Sequence, residues 1–165
     1  MAGIKSNKPS AKGNYRQGYY KIQNVEKYAG DPTQIIYRSS WEHRFCCYCD
    51  TSNEIVKWSS EPIGIPYISP LDNKQHTYYV DFYMRVETEE GELIDYIVEV
   101  KPKASLEKPI MESSKPSVRQ LKNYNHSLKT WITNRAKFSA AKQYAENVGY
   151  NFIVVTEKFL FNKGQ

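Results

Sequence analysis

No stretch of about 20 consecutive apolar residues occurs in the 165-residue sequence, so no membrane span is expected. The first residues lack an apolar core, so no secretory signal is expected either. Cysteine is scarce and crowded: Cys46, Cys47 and Cys49 fall within four positions. An odd, clustered set does not make a disulfide framework, and it points to a reducing compartment. His43 with these three cysteines is the lesser reading as a zinc site, because structural zinc usually draws a second ligand pair from elsewhere. Small apolar thiols on a helix are the better one. There is no internal repeat and no low-complexity tract, and the length suits one domain with a real core.

Acid is missing from residues 1–21, which carry Lys5, Lys8, Lys12, Arg16 and Lys21. The net charge of +5 hides further unevenness. Residues 81–99 hold seven acids and one arginine, whereas residues 101–149 hold ten Lys or Arg against three Glu. An acidic centre between basic flanks fits a metal site within a polyanion-binding surface. A plain basic protein with solvated lysines is the competing reading. Fourteen tyrosines are many; they either stack on bases or fill core edges with the hydroxyl in water.

Residues 1–20 read as a flexible basic arm, able to track a phosphate backbone or without any role. Residues 21–165 read as a single domain. Residues 35–50 read as mostly helix, with Ser39-x-x-Glu42 in the pattern of a capping box. Residues 54–59 read as a strand, 61–67 as a Pro/Gly-broken connection and 70–74 as a turn. A strand over 77–82 and another over 94–101 follow, with a charged hairpin loop at 87–92. Residues 103–116 read as a loop, and 118–148 as helix, whole or broken near Thr133. Gly149 is a natural cap, and residues 151–157 are apolar enough for a central strand. The fold class is α/β, a mixed sheet with helices on its faces.

Glu99 and Lys101 stand two apart and so share one strand face, with Val98 and Val100 turned to the core. Asp81 is the lone acid between Val80 and Phe82, both expected to be buried. A hairpin of the two strands would gather Asp81, Glu99 and Lys101. Two carboxylates and a lysine can hold a divalent cation and activate water against a phosphodiester. Alternatively, this is an exposed strand with alternating charges.

The Asp81 … Glu99-Val100-Lys101 pattern resembles the PD-(D/E)XK nuclease superfamily, with Val80 where a proline is usual. Arg38-Ser39-Ser40-Trp41-Glu42, Trp58-Ser59-Ser60-Glu61, Ile65-Pro66-Tyr67, His76-x-Tyr78-x-Val80-Asp81-Phe82 and Asn134-Arg135-Ala136-Lys137-Phe138 narrow it. Together they resemble the head completion nucleases of T4-like bacteriophages, and the layout is also similar to TnsA-type transposon endonucleases. The resemblance implies the restriction-endonuclease-like αβββαβ core and a metal-dependent DNA endonuclease acting in head completion. Trimming of DNA protruding from the packaged head before tail attachment is the implied task.

The same resemblance implies Mg²⁺, with Mn²⁺ substituting, held by Asp81, Glu99, the Val100 carbonyl and Glu42. It makes Glu42, Asp81, Glu99 and Lys101 the catalytic set. Glu42 retains a second reading as the glutamate of the capping box. Lys101 would orient or deprotonate water, or neutralise charge in the transition state. Lys137, Lys142, His76 and Lys103 are candidates for the DNA side, with Glu61 and Gln120 as weaker edge candidates. Implied partners are double-stranded DNA, phage head, portal or neck proteins and a second copy of the chain; the implied location is the host cytoplasm during assembly, or the virion. A portal-plugging protein with an unused nuclease fold, or a transposon or repair endonuclease, would share these features.

Overall fold

The computed structural model describes residues 17–162. Most of the basic arm, residues 1–16, lies outside the described residues. Residues 17–20 lie inside and are part of the fold, so the boundary at 21 is too late. Strand β1 (Gly18–Tyr19) pairs with β2 (Ile36–Tyr37), and Tyr20 is buried. Its hydroxyl donates to Asp50 Oδ2 at 2.9 Å. The same buried carboxylate accepts the Gln23 and Asn24 N–H groups at 2.8 and 2.9 Å, tying the N-terminal segment down.

Helix α1 (Ser40–Thr51) starts at Ser39, whose extended backbone and Oγ, accepting the Glu42 N–H, satisfy one of the free donors at a helix start. The central sheet has the order β3 (Ile55–Ser60), β6 (Phe82–Glu87), β7 (Leu93–Val100), β8 (Asn151–Val155). Its first three strands are antiparallel and β8 runs parallel to β7. The strand at 151–155 is therefore an edge and not central. Helix α3 (Glu157–Asn162) follows it. Residues 64–68 are not a broken connection but a strand, β4 (Gly64–Ile68), paired with β5 (Gln75–Tyr79) in a separate ribbon. Its Pro66 is accommodated because a two-stranded ribbon leaves each strand one unpaired edge.

The sheet separates two cores. On one face Phe45, Cys46 and Cys49 of α1 pack on Trp58, Phe82, Met84, Val98 and Val100. On the other, Ala141 and Ala145 pack with Ile97, Val80, Tyr78 and Ile65. These alanines belong to α2 (Val118–Val148), one continuous helix of 31 residues and not two. The Thr133 hydroxyl donates to the Lys129 carbonyl within the helix, so the polar pair at 133–134 does not break it. Ser117 and Gln120 form a capping box at its start, and Gly149 at φ 76° caps its end.

Candidate active site

The strand expected over 77–82 is two strands with a break at Val80-Asp81. A regular strand would send Val80 and Phe82 to the same face. Here Val80 enters the core under α2 and Phe82 the core under α1. The chain leaves the β4–β5 ribbon and turns into the central sheet at this point. The break frees the Asp81 side chain from the face it would otherwise take. Its carbonyl accepts the Glu61 N–H at 2.8 Å, and its Oδ2 accepts the Val100 N–H at 2.8 Å. Phe82 is in register with Val98, so Asp81 falls beside Glu99 on the neighbouring strand.

Glu99 is not solvated, as a strand-face acid would be, but buried at 3% exposure. Lys101 Nζ lies 2.8 Å from its Oε1. The buried Tyr78 hydroxyl donates a short hydrogen bond to its Oε2. Tyr78 was missed as a site residue, and no local pattern signals it, since strand alternation alone would set it on the face opposite Asp81. Lys101 N–H pairs with the Val155 carbonyl, so the Val100 amide and carbonyl face the opposite edge, where Asp81 stands.

Glu42 joins from the first turn of α1. Its Oε2 accepts the Arg38 N–H at 2.7 Å and its Oε1 the Ser39 hydroxyl at 3.0 Å. The capping box is only half formed, because the reciprocal bond goes to the Arg38 N–H and not to that of Ser39; the side chain also lines a groove of about 580 Å³ with Lys101, Trp41, Thr130 and Asn134. The Arg38 guanidinium forms a two-pronged ion pair with Glu61, Nε to Oε1 at 2.6 Å and Nη2 to Oε2 at 3.0 Å. Glu61 thus edges the site through Arg38.

The electrostatics are those of crowded acids. Burial, then Glu99 and Glu42, push the Asp81 carboxyl well above the usual range, against Lys101 and the Val100 amide. Burial pushes Glu42 up as well, against its hydrogen bonds to Arg38 and Ser39. Burial opposes the Lys101 ammonium, but Glu99 and Asp81 outweigh it and hold its pKa up. Burial and Glu99 raise the Tyr78 phenol, keeping it a donor. With Arg38 matched by Glu61, three carboxyl groups face one ammonium, and fully ionised they would carry two unmatched negative charges. Hard oxygen donors with that imbalance fit a divalent cation such as Mg²⁺. Among the described residues no three His, Cys, Asp or Glu side chains form a ready-made cage. His43 and the cysteines form no such group either, and Cys46 and Cys49 are buried thiols whose pKa burial raises.

The remaining candidates are spread out. Lys137 of α2 holds its ammonium 5.9 and 5.7 Å from the Tyr67 and Tyr78 ring centres, one residue away from Glu99. Lys142 is exposed and about 140° round the helix from Lys137. His76 lies on the β4–β5 ribbon, its Nε2 2.9 Å from Asp72 Oδ2. Lys103 sits in the turn after β7, its amide held by Glu157. Gln120 closes the capping box of α2, its side chain accepting the Ser117 N–H.

Residues 52–157 match the family of TnsA-like endonuclease N-terminal domains. The chain is also 32% identical over 140 residues to the head completion nuclease of Enterobacteria phage T4, which spans 85% of this chain and 90% of that protein. The break that sets Asp81 beside Glu99 and Lys101 lies inside both the matched segment and the fold it requires: the chain belongs to the TnsA-like endonuclease family.

Proposed function

We propose that the protein is a Mg²⁺-dependent DNA endonuclease of phage head completion, trimming DNA that protrudes from the packaged head. The observation that carries this reading is Asp81, set by the strand break beside Glu99, with Lys101 on Glu99. The family supports nuclease chemistry, and the T4 relative supports the setting. No helix of the described residues is long and apolar enough to cross a membrane.

Asp81, Glu99, the Val100 carbonyl and Glu42 would hold the metal. Bound there, Mg²⁺ supplies Lewis acidity toward a phosphate oxygen and a more acidic water. The chain's own groups do the rest. Tyr78 fixes Glu99 from the side away from Lys101, so one carboxylate oxygen keeps its orientation. Lys101 exchanges Glu99 for the scissile phosphate, and its ammonium then neutralises charge gathering on the phosphoryl oxygens. Arg38 stays on Glu61 and holds Glu42 through its backbone amide.

The test is purified protein with linear and supercoiled DNA, with and without Mg²⁺ or Mn²⁺, beside Asp81→Asn. Metal-dependent cutting lost in the variant is expected. Wild-type cutting by the variant would put the site elsewhere.

A further inference from the structure

The helix α2 is longer than its packing requires. Its two buried residues, Ala141 and Ala145, lie near its C-terminal end. Trp131 is half-buried and donates its Nε1–H to the Leu106 carbonyl at 3.2 Å under the Lys108 and Arg135 cations. Ahead of it, residues 118–130 fully bury no side chain, and Tyr124 and Leu128 alone are half-buried there. Residues 113–145 contain seven Lys or Arg and no Asp or Glu. The charge is also placed. At 100° per residue, Arg119, Lys122, His126, Lys129, Thr133 and Lys137 fall within an arc of about 80°. The first four are exposed, and Arg119, Lys122 and Lys129 take part in no ion pair among the described residues. The stripe ends at Lys137, over the ring of Tyr78, whose hydroxyl holds Glu99.

We propose that this stripe is a track for duplex DNA, leading one backbone to the Glu99–Lys101 pair. The inference rests on the nuclease reading for its substrate. The occupant follows from charge: a protein surface of three lone cations without one acid asks for a polyanion. Length agrees with it. Eighteen residues at 1.5 Å rise give about 27 Å, or about eight base pairs at 3.4 Å each. Thr133 adds a hydroxyl and His126 an imidazole as phosphate donors. A side chain every turn or so matches backbone contact and not base reading, so the track grips DNA without regard to sequence.

The experiment measures binding of the full-length protein to a long duplex in EDTA, by fluorescence anisotropy between about 50 and 200 mM salt. Arg119→Ala/Lys122→Ala/Lys129→Ala removes three contacts and lowers the slope of log K against log salt by about 2.7. A charge-matched control, Lys57→Ala/Lys74→Ala/Lys158→Ala, leaves the slope near wild type. All six positions are away from the core, so unchanged melting curves confirm intact folds. An unchanged slope in the α2 variant overturns the track, and so does an equal fall in the control. A fall in self-association with the slope unchanged would make this face a contact between two copies. Wild-type protein without salt-dependent DNA binding would sink the track and the nuclease reading together. An Asp81→Asn variant that cuts normally, with the α2 slope change present, would sink the site assignment and leave the track.

Discussion

Asp81→Asn separates chemistry from stability, because the two are predicted to move in opposite directions. The amide oxygen still accepts the Val100 N–H, so the strand break keeps its tie. What disappears is a negative charge beside Glu99 and Glu42, in a site where burial and those two acids hold the carboxyl well above the usual range. A folded-state pKa above the unfolded one means the native protein binds the extra proton, so stability falls as pH rises. The loss begins at the ordinary carboxylate range and continues upward until the folded carboxyl has ionised. Each tenfold by which the folded site strengthens proton binding costs about 1.4 kcal/mol above that window. For a chain of this size 1 kcal/mol is about 2–4 °C in Tm. Lys101 loses one attraction in the variant but keeps Glu99 at 2.8 Å, so relief of the repulsion wins. In EDTA at pH 8 the variant therefore melts several degrees above wild type, and at acid pH the two converge. Added Mg²⁺ raises the wild-type Tm and leaves the variant unmoved. Cleavage falls by about a thousandfold or more, the scale of several kcal/mol of lost metal assistance. A variant that loses both activity and stability in EDTA would refute the reasoning, since Asp81 would then be holding the fold and not straining it.

Lys101→Ala, measured in single turnover, loses a hundredfold or more in rate, the scale of one transition-state donor, while Mg²⁺ binding tightens as a competing cation is removed. Tyr78→Phe keeps the ring under Lys137 but frees Glu99, so half-saturating Mn²⁺, followed by paramagnetic resonance, rises by about 10–100-fold. An unchanged metal affinity would reduce Tyr78 to a core residue. Asp50→Asn turns an acceptor of four donors into a group with two donors of its own and costs about 2–4 kcal/mol in urea unfolding. Burial disfavours the Asp50 charge, but the Gln23 and Asn24 amides outweigh it and hold the carboxyl below the usual range. Its stabilisation is therefore full above the ordinary aspartate pKa and lost as pH falls through the lower folded one. Acid unfolding of Asp50→Asn should be shallower than that of wild type.

The parts legible in the sequence were those set by local rules. Ser39 and Gly149 announce helix ends through their own side chain or backbone freedom. Glu99 and Lys101 are two apart on a strand, which fixes a shared face whatever surrounds it. The parts that were not legible depend on residues far along the chain. A run such as residues 75–87 has β character throughout, and nothing local says it serves two sheets in turn. Only Ile63, accepting the Val80 N–H, and Glu61, donating to the Asp81 carbonyl, turn the chain there. Residues 64–68 were obscured by Gly64 and Pro66, which disfavour a sheet interior but not a two-stranded ribbon. Tyr78 illustrates the same limit, since its partner lies 21 residues away and its hydroxyl could equally have faced water.

The break at Asp81 also explains why acids of separate elements meet at one place. A continuous strand would carry Asp81 into a core face, where its charge would have to be matched or lost. Breaking the strand lets Val80 and Phe82 fill opposite cores while the residue between them points along the sheet edge. Val100 then finds no strand partner on that edge, and its amide turns to the Asp81 carboxylate. The unpaired edge and the acid that fills it are thus one feature. Glu42 arrives because α1 begins over the same sheet end, and its carboxylate is held there by the amide of Arg38. The fold thus retains an arrangement in which burial and neighbouring acids oppose the charge on Asp81.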